Sequence, residues 1–488
     1  MKIGCQSLFF QATLAGAMCF ALVGCIVGPN YHRPSATVPP TFSQVPPPNP
    51  LDGSWKKAQP GDTVLRGKWW EIYHDVQLNV LEDKVAVSNQ TLRASVDEYF
   101  QAREQVRLAR SSYYPTVGAG PSVSRTRESY NQPNTQRSVT KYQYNTFTLE
   151  GQALWEPDLW GRVRRSVEQA RANAQASAAD LANVELSIRS ELATDYFEMR
   201  GLDTQQALLD RTVSAYTDFY NLTQVRFQGG VATDVDVAEA ETQLKTTRAQ
   251  AIDIGVARSQ YEHAIATLVG TPASSFSLPA IPLHLHLPVI PSAVPSSLLE
   301  RRPDIAAAER RADAANAQIG VAIAAYYPTI TLNGVGGFES TNPGTWIQGP
   351  SALWALGGSA LEILFDAGRR HAITQQTRDA YDMQVANYRQ TVLVAFQEVE
   401  DNLVALRVLD EEAAVEKTAV ESAQRSLLLS TKRYKGGVTT YLEVLNAQTA
   451  QLSNERTETD ITIRQFAASV ALIKALGGGW STTQLPNP

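Results

Sequence analysis

Residues 226–242 read RFQGGVATDVDVAEAET, and residues 433–449 read RYKGGVTTYLEVLNAQT. The two stretches lie 207 positions apart, and that offset holds without a gap from Gly161-Arg162 against Gly368-Arg369 to Gly270 against Gly477. A unit of about 110 residues used twice is too long for a solenoid, whose period is roughly 20–50 residues. It reads as one large helical module in two copies. No proline interrupts Pro157 to Pro272 or Pro350 to Pro486, so Arg162 to Phe227 predicts one helix near 100 Å long at about 1.5 Å per residue. Val392, Phe396, Val399, Leu403 and Leu406 follow the alternating four-and-three spacing of a coiled-coil seam. Gly229-Gly230 and Gly436-Gly437 can take the positive φ that ends a helix and reverses the chain, and return helices of about 37 residues run to Gly270 and Gly477.

Upstream of each module the period changes. A helical pattern from about Leu78 to Arg110 breaks at Tyr113-Tyr114-Pro115, and one over 303–325 breaks at Tyr326-Tyr327-Pro328. Val117, Ala119, Pro121 and Val123 then alternate with small residues, as Phe147, Leu149, Gly151, Ala153 and Trp155 do with polar ones. This is a β-hairpin with a polar loop over 127–141, and 329–338 with 353–365 repeats it at an offset of 213, six more than 207. Each strand approaches the 9–11 residues of a tilted membrane strand. The same alternation also suits an amphipathic surface hairpin.

The N-terminus has Lys2, an apolar run from about Leu8 to Val23, and then Leu22-Val23-Gly24-Cys25. That is a secretory signal layout, shorter than a membrane helix, ending in a match to the bacterial lipobox. Of three cysteines, Cys5 and Cys19 fall in the removed segment, leaving Cys25 as the lipidated first residue and no internal disulfide. Ile26 rather than aspartate favours outer-membrane sorting by resemblance to Gram-negative lipoproteins. The chain divides into a signal (1–24), a lipid anchor with proline-rich tether (25–77), a first repeat (78–271, with hairpins 116–157 and 161–270), a proline-rich linker (272–302), a second repeat (303–477, with hairpins 329–365 and 368–477) and a tail (478–488).

A net charge of −6 excludes a nucleic-acid binder driven by bulk charge. No catalytic constellation or P-loop is present, so the chain reads as a non-enzyme whose energy comes from a partner. Of six histidines only His284 and His286 form a close pair, too few for a metal site without a third ligand. The expected cofactor set is none beyond the lipid on Cys25.

Four strands cannot close a barrel, and open edges in lipid leave backbone groups unpaired at several kcal/mol each. Two copies would make eight strands filled by side chains; three make twelve, the smallest assembly of this unit with a passage, closed by cyclic symmetry. The expected fold is therefore an α+β membrane protein, a homotrimeric twelve-stranded barrel continued by a helical coiled-coil barrel.

Trp69-Trp70, Asp75, Arg301-Arg302-Pro303-Asp304-Ile305 with Ala308-Glu309, Tyr327-Pro328, Phe365-Asp366-Ala367-Gly368-Arg369 and Ala475-Leu476-Gly477-Gly478-Gly479-Trp480 resemble the TolC-like outer membrane factors, in the lipidated NodT and OprM branch. The resemblance covers nearly the whole mature chain. It implies a small equatorial domain, partnership with a periplasmic adaptor and an inner-membrane pump of RND type, and export of small toxic molecules. It also implies a closed periplasmic entrance lined by Leu442, Asn446 and Thr449. Relatives carry an aspartate and an arginine where this chain has Asn446 and Thr449, which argues against a charged lock; Asp234, Asp236 and Glu443 could still make the entrance acidic. The tips, Arg226, Gly229, Gly230, Val231 and Thr233 with Arg433, Gly436, Gly437, Val438 and Thr440, would meet the adaptor. Ordinary coiled-coil and turn roles fit these residues too. A type I protein-secretion channel and a non-conducting structural envelope lipoprotein are the competing functions.

Overall fold

The computed structural model describes residues 26–39, 42, 67–127, 143–283, 287, 288, 290 and 298–486. Cys25, the signal segment, the first hairpin loop and the His284/His286 pair lie outside the described residues.

The elements run α1 (Val76–Ser88), α2 (Gln90–Ser111), β1 (Thr116–Arg127), β2 (Gln143–Trp155), α3 (Arg162–Gln228), α4 (Asp234–Leu268), α5 (Pro303–Ala324), β3 (Thr329–Ser340), β4 (Ala352–Leu361), α6 (Arg369–Lys435) and α7 (Tyr441–Ala475). The repeat is kept to the residue: α3 and α6 both have 67 residues, and α4 and α7 both have 35. At about 1.5 Å per residue the longer pair spans roughly 100 Å. The expected seam of Val392, Phe396, Val399, Leu403 and Leu406 is buried along α6.

Two expectations change. The single helix read from Leu78 to Arg110 is two, broken at Asn89. The Asn89 side chain accepts from Leu92 N–H (2.8 Å) to cap α2, and its amide donates to Leu268 O at the end of α4 (2.7 Å). The strand read over 353–365 stops at Leu361, opposite Thr329. The next partner on β3 would be Pro328, which has no N–H to offer the ladder.

The four strands form one antiparallel sheet in the order β1-β2-β3-β4. Register puts Val117, Ala153, Gly334 and Leu356 in one row, and Pro121, Leu149, Phe338 and Ala352 in another. Side chains alternate across a strand, so these rows share an apolar face. Rows such as Ser122, Thr148 and Glu339 make the other face polar.

Below the sheet α2, α3, α5 and α6 pack side by side, and further down α4, α3, α7 and α6 do so. Where the two layers meet, the end of α4 abuts the start of α2 and the end of α7 abuts the start of α5. Gly270 and Gly477 allow this, because a Cβ on either would run into the Ser88 or Arg301 carbonyl. The main core sits at this level, around Trp69, Tyr73, Tyr196, Phe197, Phe466 and Ile473. Tyr73 Oη and Ser469 Oγ share a buried hydrogen bond of 2.7 Å inside it. The inter-repeat linker is held against the outside by backbone contacts, Arg200 donating to Pro279 O (2.7 Å) and Arg258 to Leu278 O (2.8 Å).

Candidate functional site: the duct wall and its narrow end

Both helical hairpins turn by the same motif. Val231 N–H donates to Arg226 O (2.8 Å) and Gly230 N–H to Phe227 O (2.9 Å), with Gly230 at φ +71; Val438 to Arg433 O and Gly437 to Tyr434 O (both 3.0 Å) repeat it, with Gly437 at φ +72. This six-residue closure needs a left-handed residue after the helix end, which explains the second glycine of each pair. The return helices start differently. Thr233 and Asp236 form a reciprocal capping box on α4, whereas Thr440 makes no side-chain cap on α7. Glu443, which stands where Asp236 does in the first copy, instead pairs with Arg433 at 3.2 Å.

The two tips therefore differ in chemistry. Between Val225 and Asp236 one arginine faces two aspartates, net −1, whereas between Lys432 and Glu443 three cations face one glutamate, net +2. Val225, Phe227, Val231 and Val235 are exposed on the first tip. On the second, the aromatic equivalent to Phe227 is Tyr434, and it is buried.

Tyr434 is covered by the other hairpin. The Arg226 guanidinium lies 4.6 Å from the Tyr434 ring centroid, and its Nη1 donates to Lys435 O (3.4 Å). Thr223 Oγ1 and Tyr434 Oη are 3.3 Å apart, and Tyr216 Oη donates to Gln448 O (3.1 Å). The sequence reading places Arg226 among the tip residues that would meet the adaptor and does not single out Tyr434. The Phe227/Tyr434 difference between the copies was the available signal.

Leu442, Asn446 and Thr449 lie on one stripe of α7 that the chain leaves exposed, while Tyr441, Val444, Gln448 and Leu452 bury the opposite face. Thr449 Oγ1 accepts from Gln243 of α4 at 3.5 Å. The three acids are not brought together as a ring within the chain. Asp236 is used in the cap and Glu443 in its ion pair, and among the described residues only Asp234 of the three has no side-chain partner.

At the sheet end, a strap over residues 26–39 runs down the helices. Val27 N–H donates to Trp160 O (3.2 Å), Arg165 donates to Val27 O and Gly28 O (both 3.2 Å) and to Asn30 Oδ1 (2.9 Å), and Asn316 donates to Pro29 O (3.1 Å). Gly28, at φ +91, crosses Gly320 of α5 so closely that a Cβ would overlap its Cα. Ile26 rests on Gly161, beside Trp160 and Tyr327, whose rings stack 5.0 Å apart at the strand–helix junction. Neither Arg165 nor this glycine crossing was picked out from sequence, because only the fold brings Gly28 to Gly320.

The sheet thus has one apolar face and two free edges, and it is joined to helices of roughly 100 Å. The profile of the outer membrane efflux protein family covers residues 81–271 and 294–478, one segment per repeat. The chain belongs to that family. The antibiotic efflux pump outer membrane protein ArpC and the toluene efflux pump outer membrane protein TtgC, both from Pseudomonas putida, are each 32% identical over 467 residues, covering 94% of both chains. OprJ of Pseudomonas aeruginosa is 30% identical over 466 residues, again with 94% of both chains. The solved outer-membrane channel OprN superposes with a TM-score of 0.85 at 27% identity over 93% of this chain and 100% of its own. As an outer membrane efflux protein the chain is an outer-membrane exit duct.

Proposed function

We propose that three copies close three four-stranded sheets into a twelve-stranded barrel, and that the duct passes small toxic molecules delivered by a periplasmic adaptor and an inner-membrane pump of RND type. The observation carrying this reading is the open sheet itself. β1 and β4 each have an unpaired edge, which lipid does not tolerate, and the sheet carries exposed Val117, Val123, Trp354 and Leu356. Small cargo is supported by the relatives' names, which refer to antibiotics and toluene. Among the described residues no helix is long and apolar enough to span a bilayer.

Lipid on Cys25 belongs to the same proposal. The strap holds Ile26 at the junction of strands and helices, which supports the reading that acyl chains on the preceding residue enter the leaflet at that level. The narrow end would be the exposed stripe of Leu442, Asn446 and Thr449, closed by copies of itself around the axis. The two tips would receive the adaptor.

Planar-bilayer recording tests the reading. The purified chain should form discrete channels, and Leu442→Ala with Asn446→Ala should raise their conductance severalfold. A preparation that inserts but never conducts would support the structural-lipoprotein alternative instead.

A further inference from the structure

The internal repeat fixes how neighbouring copies pair, to the residue. β1 maps onto β3 by 213 positions and β2 onto β4 by 207. Applied to the observed pair Thr116↔Leu154, these shifts give Thr329↔Leu361, the register found between β3 and β4. The translation thus reproduces one interface of the sheet from another.

Applied to the β2–β3 interface, it gives the one that a single chain lacks. Leu154↔Asn333 becomes Leu361 opposite Gly120 of the next protomer, Gln152↔Val335 becomes Ser359 opposite Ser122, and Phe147↔Ser340 becomes Trp354 opposite Arg127. We infer that the seam between copies pairs β4 with β1 of the next protomer, antiparallel, in this register and no other.

From Gly120 to Val123 the faces agree with it, although they did not enter the derivation. Pro121 and Val123, in the apolar rows of β1, come opposite Ala360 and Gly358, and Gly358 shares its row with Leu332 and Trp155. Ser122, in a row with Thr148, comes opposite Ser359, in a row with Thr331. A slip by one residue would turn every apolar side chain of one strand into the lumen. Eight pairs form, from Trp354 to Leu361, and the exposed Val123, Trp354, Leu356 and Leu361 gain strand neighbours. The seam thereby has the same ladder as the interfaces inside the chain, so the six hairpins of a closed barrel become equivalent.

This inference rests on the closed-barrel reading above, and the experiment separates the two. Four positions suffice, in the full-length chain: Gly120→Cys with Leu361→Cys and Ser122→Cys with Ser359→Cys are in register, while Gly120→Cys with Ser359→Cys and Ser122→Cys with Leu361→Cys are shifted by two residues on the same face. Within one chain β1 and β4 are three strand spacings apart, roughly 14 Å, beyond the reach of a disulfide. On mild oxidation the in-register pairs should join most chains into disulfide-linked species of up to three on non-reducing gels. The shifted pairs should stay at least fivefold lower, near the single-cysteine background. Strongest linking by a shifted pair, in a preparation that is trimeric by light scattering and conducts, would overturn the register and leave the duct reading standing. A monomeric preparation with no linking by any pair would overturn both.

Discussion

Glu82 is a carboxyl whose surroundings oppose its charge. Its side chain is wholly buried, and burial pushes its carboxyl up to about 8 although Arg189, 3.4 Å away, pulls it down. Arg189 is itself committed to Glu185 (2.8 Å) and to the face of Trp70. An acid whose folded pKa lies above its unfolded value loses stability as pH rises from near 4 through that folded pKa. Glu82→Gln, which cannot ionise, should match the parent's melting temperature near pH 5 and exceed it at pH 9; equal melting curves at both values would show that Glu82 is not charged at a cost. Arg226 works in the opposite sense, as a cation that the fold recruits. A cation over an aromatic ring contributes about 0.5–2 kcal/mol depending on desolvation, and Arg226 ties one hairpin to the other through Tyr434 at the hairpin tips. Arg226→Ala should raise open probability in bilayer recordings while leaving the melting temperature within a few degrees. Unchanged gating would reduce the contact to local packing.

Among the elements, the abutted helix ends are what make two short helices and two return helices act as longer struts. The two joints are equivalent by position yet differ in chemistry. Asn89 donates to Leu268 O, whereas Arg302 donates to Ala475 O (3.1 Å) and also holds Glu398 of α6 (2.7 Å). Arg302 therefore adds a tie to α6 beyond the helix ends that the joint itself brings together. Gly477, at φ +90, has no room for a side chain against Arg301, and an L-residue there also meets the left-handed penalty of about 1–2 kcal/mol. Gly477→Ala should lower the melting temperature by several degrees, and Gly437→Ala, which meets the same backbone penalty but open space, should lower it less. Comparable losses would show that backbone strain rather than the joint decides the cost.

For the whole molecule, the decisive asymmetry lies between the two faces of the sheet. Leu356 and Ser359 are both exposed on β4, but Leu356 lies in an apolar row with Gly334 and Ser359 in a polar one with Thr331. A lysine on the lipid side of a barrel costs about 2–4 kcal/mol at the bilayer midplane, and each trimer would carry three. Leu356→Lys should cut the amount of chain recovered from the outer membrane, while Ser359→Lys should insert normally and change only conductance. The reverse outcome would exchange lipid and lumen.

The repeat, the long helices, the glycine turns, the strand pairs and the family were legible in the sequence, because each depends on local spacing. Proline-free runs, seven-residue seams and two-residue alternation are written along the chain and are read without knowing what lies across from them. The Asn89 break was missed because its amide caps α2 and bonds a carbonyl 179 residues away, a partner that no local pattern announces. The clamp of Arg226 on Tyr434, the Gly28–Gly320 crossing under Arg165, the burial of Glu82 and the unequal joints at Asn89 and Arg302 belong to the same class. The sequence alone determined which modules exist and that they come in two copies, since periodicity is a property of neighbours along the backbone. Only the tertiary structure decided how the copies differ, since contacts between distant segments assign Arg226 and Arg302 roles that the matched positions do not share.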